Sequence, residues 1–107
     1  MTQVFLTHAD EDKDSVQQVR RSLMRAGLTV WASTSDIQTG ADFQTAINQG
    51  IEEADNLVYL LSPDSLQSSY CHQELDYALL LNKRVIPVLV KPIDGIPIPD
   101  ALKTLQY

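Results

Sequence analysis

Asn56-Leu57-Val58-Tyr59-Leu60-Leu61-Ser62-Pro63-Asp64-Ser65-Leu66-Gln67-Ser68-Ser69-Tyr70-Cys71-His72-Gln73-Glu74-Leu75 decides the fold, because a near-continuous apolar run leads into a segment of helical period. The run of residues 56–61 lacks polar alternation, which suits a central strand buried on both faces of a sheet. Beyond it, a helical wheel at about 100° per residue places Leu75, Ala78 and Asn82 within about 40° of Cys71, and Leu79 at about 80°. That stripe is expected to face the core. Glu74 lies about 60° to one side, on a shoulder that is neither core nor open surface, whereas Asp76 points away. Tyr70 precedes Glu74 by one turn on the same side. An aromatic plane and a carboxylate are therefore expected to line one side of a groove, a pairing suited to a cationic, ring-containing ligand.

Working outward, apolar runs of strand length alternate with helical periods, the pattern of strand-helix units around a parallel sheet. Val4-Phe5-Leu6-Thr7 reads as the first strand. Val16, Val19, Leu23 and Ala26 recur at helical spacing, and Gly27 follows where a helix takes a left-handed stop. Leu28-Thr29-Val30-Trp31 is the second strand, followed by a polar loop over residues 32–41, long enough to be functional or mobile. Asp42 is a candidate cap for a helix whose stripe is Phe43, Ala46, Ile47, Gly50, Ile51 and Ala54. Residues 84–90 read as a fourth strand. Pro87 inside it removes one ladder donor, so that strand is expected near an edge or with irregular bonding. Pro92, Pro97, Pro99 and Gly95 make residues 91–100 a loop. Residues 101–107 have room for one or two helical turns and the first residue of a fifth strand.

Size and composition narrow the functional classes. A chain of 107 residues, 44% hydrophobic and 21% charged, reads as one globular domain. Its net charge of -6, with no basic run, argues against nucleic acid or an anionic membrane as partner. Cys71 is the single cysteine, which rules out an internal disulfide or a multi-cysteine zinc site and fits a reducing compartment. No stretch approaches the length of a membrane span and no leader pattern is present, so a cytoplasmic location is the expectation.

The acidic cluster Asp10-Glu11-Asp12-Lys13-Asp14 follows the first strand, at the carboxyl edge where such sheets bind ligands. It fails as a calcium loop, since Ser15 and Arg21 stand where the turn glycine and final glutamate belong, and no metal site is expected. Its acids also suit the amino end of a helix. His8 is better placed for a ligand than His72, which reads as a solvated helix residue. Asp10, Asp12, Asp64 and Lys91-Pro92 bear some likeness to a response-regulator receiver. There, however, Ser62 occupies the strand end that an acceptor aspartate needs. With four glycines in all, no nucleophile elbow or phosphate-cradling loop is present. Cys71, on the core stripe, is better explained by packing than by catalysis.

Three segments in register carry a more specific likeness: residues 4–12, then Val30-Trp31 through Asp36-Ile37-Gln38-Thr39-Gly40, then Ser62 to Leu75. The chain resembles a TIR (Toll/interleukin-1 receptor) domain of bacterial type along essentially its whole length. The first segment is similar to the family's box 1 and the second to its BB loop, although Ala32-Ser33 replace the acidic or aromatic residues common there. In the third, Ser62-x5-Ser68-x-Tyr70-Cys71-x-x-Glu74-Leu75 matches the S-x5-S-x-W-C-x-x-E-L pattern of enzymatic members, with tyrosine for tryptophan.

The resemblance implies an α/β, flavodoxin-like three-layer sandwich: a central parallel sheet of four strands, with a truncated fifth, flanked by helices. The family's usual final strand and helix are missing from residues 1–107, which implies a single domain excised from a larger protein. Two functions of different class follow from the likeness. Some members cleave NAD+ between nicotinamide and ribose, giving ADP-ribose or a cyclic product, while others are non-enzymatic TIR-TIR adaptors. The enzyme reading assigns Glu74 as the catalytic carboxylate. It places Tyr70, Thr7, His8, Ala9, Trp31 and Asp36 around NAD+, which is substrate rather than cofactor. Activation by homotypic self-association through the 32–41 loop, in immune or stress signalling, is implied by the same resemblance.

Overall fold

Four strands form one all-parallel sheet in the computed structural model, which describes residues 3–32 and 43–103. They are β1 (Gln3–Thr7), β2 (Thr29–Ala32), β3 (Asn56–Leu61) and β4 (Arg84–Leu89), in the spatial order β2-β1-β3-β4. Between and after them run α1 (Lys13–Arg25), α2 (Phe43–Glu53), α3 (Pro63–Gln67), α4 (Ser69–Leu80) and α5 (Asp100–Lys103). A 3-10 turn at Asp10–Asp12 leads into α1.

The apolar run at β3 is explained by burial on both sides. Leu57, Tyr59 and Leu61 join Phe5 of β1 and Val85 of β4 on one face, packed against Ile47 and Ile51 of α2 and against Cys71, Leu75 and Ala78 of α4. Val58 and Leu60 join Val4, Leu6 and Val30 on the other, beneath Val16 of α1. Helices on both faces of a parallel sheet give the expected α/β, flavodoxin-like arrangement. The Asp42 cap, the 32–41 loop and residues 104–107, where a fifth strand was expected to begin, lie outside the described residues. Among the described residues no helix is long and apolar enough to cross a membrane.

Helix ends follow local chemistry. Gly27 takes φ +88°, and the amides of Gly27 and Leu28 reach back to the carbonyls of Met24 and Leu23, closing α1 with a left-handed cap. The second such cap corrects the sequence reading. Asn82 was expected on the core stripe of α4, but the helix ends at Leu80 and Asn82 is exposed at φ +58°, while Lys83 N donates to the Ala78 carbonyl. Asparagine tolerates this conformation better than most residues, so it stops the helix instead of extending its stripe. Pro87 on β4 pairs with Tyr59 on β3, and among the described residues β4 has β3 as its single neighbour. An end strand has one side outside the ladder, where a missing N–H costs little.

The approach of α2 to the sheet is set by Gly50. A Cβ there would lie 2.9 Å from Cε2 of Phe5, a ring with no exposure and no room to withdraw. Gly50→Ala is therefore expected to lower stability by about 1–2 kcal/mol despite alanine's better helix propensity, because overpacking outweighs that gain. A urea denaturation midpoint equal to or above wild type would contradict this.

Candidate active site

The carboxyl ends of β1 and β3 and the amino end of α4 build the site. Ser62 ends β3 and caps α3. Its Oγ accepts from Ser65 N at 3.0 Å, while Ser65 Oγ accepts from Ser62 N at 2.9 Å, a reciprocal capping box with Pro63 next in line. The chain then breaks at Ser68, whose extended backbone ends α3 and whose Oγ accepts from Cys71 N to start α4. His72 is not simply solvated. Its Nε2 lies 2.7 Å from the Leu66 carbonyl, which can only accept, so Nε2 carries a proton and pins the α3–α4 corner.

This corner aims Glu74 inward. The carboxylate expected on a shoulder is buried, at 6% exposure. Helix α2 covers that flank: one turn beyond Glu74, the Tyr77 hydroxyl donates to Glu52 Oε2 at 2.6 Å, and Lys83 Nζ donates to the Glu52 carbonyl at 2.8 Å. On the sheet side stands Thr7, with 0% exposure and paired in register with Tyr59. Neither Glu74 Oε1 nor Thr7 Oγ1 has a hydrogen-bond partner among the described residues.

Desolvation dominates the electrostatics. Burial pushes the Glu74 carboxyl from about 4.5 up to about 7, and the neighbouring Thr7 hydroxyl pulls the other way. The Tyr59 phenol is held far above its ordinary value, by burial first, then by Cys71, with the Glu74 charge adding to the effect. Its hydroxyl donates to the Ser65 carbonyl at 2.9 Å, so its one proton is already committed. The result is a single carboxyl whose charge is poised near neutrality and whose lone pairs are not fully used, a group ready to meet a cation.

Of the other predicted residues, those within the described part of the chain fall on α4, on β2 and just past β1. Tyr70 is one turn before Glu74 on α4, but at 63% exposure it lies open to solvent. Trp31 on β2 pairs with Phe5 and packs in part against the same face of the sheet as Thr7. His8 and Ala9 are buried just past β1, with His8 Nδ1 donating to the Ala9 carbonyl at 3.0 Å. Asp36 lies outside the described residues.

A second buried carboxylate emerges that the sequence reading placed in an acidic cluster and linked to Lys91 only through the likeness to a receiver. Asp12 is 1% exposed; its Oδ2 accepts from Ser62 Oγ, and its Oδ1 lies 2.6 Å from Lys91 Nζ. Asp12 holds Lys91 charged beyond its ordinary range. The signal was the pairing of an acid after β1 with a lysine after β4, which the receiver comparison had grouped. Among the described residues no cluster of three or more potential ligands could hold a metal ion.

Comparison with known proteins places this arrangement. A family described as TIR domain matches residues 4–107. The chain is 28% identical over 116 residues to a protein of Methanobrevibacter olleyae named probable 2' cyclic ADP-D-ribose synthase TcpO, covering 97% of this chain and 34% of that protein. It is 30% identical over 82 residues to a protein of Escherichia coli O6:H1 named NAD(+) hydrolase TcpC, covering 76% of this chain and 26% of the relative. The chain thus spans about a third or less of the length of these curated relatives. Among solved structures, the TIR domain of the Toll-related receptor TRR-2 from Hydra magnipapillata superposes with a TM-score of 0.82 at 26% identity, over 97% of this chain and 80% of that one.

Two outcomes follow from the buried acids. Because the folded protein holds the Glu74 proton to higher pH than the unfolded chain, wild-type stability falls as pH rises from about 4.5 to about 7 and then levels. Relative to wild type, Glu74→Gln should gain roughly 3 kcal/mol between pH 4 and pH 8, read by denaturation at both values; a constant difference would contradict the burial. Asp12→Ala orphans the Ser62 hydroxyl and should cost on the order of 3 kcal/mol at pH 7 by the same measurement.

Proposed function

The chain belongs to the TIR domain family, and on that premise we propose that it cleaves NAD+ between nicotinamide and ribose. One observation carries this reading: Glu74 is a buried, incompletely hydrogen-bonded carboxyl in the sequence frame Ser62-x5-Ser68-x-Tyr70-Cys71-x-x-Glu74-Leu75. The names carried by the M. olleyae and E. coli relatives support the same substrate.

The chemistry needs little more than such a group. In NAD+ the nicotinamide is a pyridinium. When the bond from its ring nitrogen to the ribose C1′ breaks, the electron pair stays on the nitrogen and neutral nicotinamide leaves. No general acid is required, unlike an ordinary glycoside. Positive charge develops on the ribose, and a carboxylate shielded from water stabilises it far better than one in bulk solvent. Glu74 must be ionised to do so. Bringing the cationic ring beside it favours the charged form, so substrate binding itself drives off the proton that burial retains.

Tyr70, the exposed aromatic at the start of α4, stacks on the ribose or nicotinamide in this proposal, and His8, Ala9, Trp31 and Asp36 approach from the ends of β1 and β2. Water or a hydroxyl of the ADP-ribose then captures the cation and loses its proton to Glu74 or solvent, giving a linear or a cyclic product. Self-association through the 32–41 loop, in an immune or stress response, is the mode of activation we propose.

Glu74→Gln and Glu74→Ala should each reduce NAD+ consumption at least a hundredfold, the scale expected for a well-placed electrostatic group. Wild-type kcat/KM should climb through about pH 7 and level above it, following Glu74 ionisation in the free protein. Both are measured by nicotinamide release across a range of protein concentrations. Undiminished turnover in the Glu74 variants would overturn the enzyme reading, and an inert wild type at every concentration would make the domain a TIR-TIR interaction module.

A further inference from the structure

Tyr59, Thr7 and Cys71 bring two hydroxyls and a thiol to the face of the sheet against which α4 packs, and their protons can be accounted for one by one. Tyr59 on β3 spends its proton on the Ser65 carbonyl. Cys71, one turn earlier on α4, carries only a weak S–H donor and is packed in the core cluster. Thr7 is different: it is a full-strength donor, wholly buried, and its Oγ1 has no partner among the described residues. Its side chain shares a face with Phe5 and Tyr59, the face against which α4 packs.

We propose that Thr7 is a positioning residue for Glu74, its hydroxyl donating a hydrogen bond to the ionised carboxylate and thereby fixing which oxygen faces the ribose. The assignment rests on the NAD+-cleaving role proposed for Glu74. It goes beyond a place for Thr7 in the substrate shell, because the hydroxyl acts on the carboxylate and not on NAD+.

Two observations make a contact of this kind necessary. A carboxylate at 6% exposure meets little solvent, and with Tyr59 committed, Thr7 offers a hydroxyl on the same face whose Oγ1 has no partner among the described residues. The hydroxyl is also near enough to oppose the effect of burial on Glu74, although no regular hydrogen bond joins the two. Such contacts tighten when the acceptor gains charge, as catalytic hydrogen bonds do on substrate binding. A buried threonine hydroxyl with nothing else to bond is otherwise a cost to the fold that a valine of the same shape would avoid.

Other titratable groups on elements packed against α4 do not substitute for it. Glu52 and Glu53 of α2 and Arg84 of β4 are exposed, Asp64 of α3 is half-buried, and His8 past β1 gives its Nδ1 proton to Ala9. On α4 itself, Tyr70 and Asp76 are exposed, while Tyr77 and His72 bond to Glu52 and Leu66.

The test uses Thr7→Val, which removes the hydroxyl at nearly constant shape, Thr7→Ala as a second hydroxyl-free variant, and Thr7→Ser, which restores it. The Glu74 titration is followed by carbon-13 NMR of labelled glutamate carboxyls, assigned with Glu74→Gln, and NAD+ turnover is measured on the same proteins. Loss of the hydroxyl should raise the Glu74 midpoint by about one pH unit and cut kcat about tenfold at pH 7, with KM within about twofold. Serine should recover both. An unmoved midpoint in Val and Ala, or unchanged kcat, overturns the proposal, and a change in melting temperature alone does the same. A midpoint that shifts in proteins that consume no NAD+ supports the Thr7 contact while removing the enzymatic role of Glu74, so the two readings fail separately.

Discussion

One carboxylate, Asp12, ties together the segments from which the site is built. It sits just after β1, takes the hydroxyl of Ser62 at the end of β3, and pairs with Lys91 beyond β4. Parallel strands fix their neighbours along their length but leave the loops at their carboxyl ends to diverge. A buried anion shared by three of those ends draws them to one point. Ser62 also starts α3, so the same contact sets where the α3–α4 corner begins and hence where α4 points its shoulder. The geometry at Glu74 is in this sense downstream of Asp12.

The two buried acids show opposite solutions to desolvation. Asp12 meets a hydroxyl, from Ser62, and an ammonium, from Lys91. Glu74 leaves one buried oxygen without a partner among the described residues, and burial raises its proton affinity until charge and neutrality are nearly balanced. A fold selected for stability alone would pair Glu74 or replace it. Leaving one oxygen without a partner among the described residues stores an affinity for positive charge beside the buried Thr7 hydroxyl.

Much of this was legible in the chain. The apolar run at residues 56–61 announced a doubly buried strand, and Gly27 announced its left-handed stop. What escaped was whatever depends on two elements meeting. Angular position on a wheel put Glu74 at a shoulder, and that shoulder is buried in the fold, where α4 packs against the sheet and α2. Asn82 fell on the apolar stripe by angle, yet its own preference for a left-handed backbone ended the helix before the stripe could reach it. Asp12 looked like one of several acids at a helix start, since nothing local reveals a lysine almost eighty residues away.

The His72–Leu66 contact has a bearing on how α4 is held. Its Nε2 donates to the Leu66 carbonyl, so a side chain two residues before Glu74 ties the start of α4 to the end of α3. Acid acts on Glu74 itself: burial keeps its proton on up to about pH 7. Neutralising that carboxyl removes a buried charge, so mild acid lightens a cost that the fold carries at higher pH.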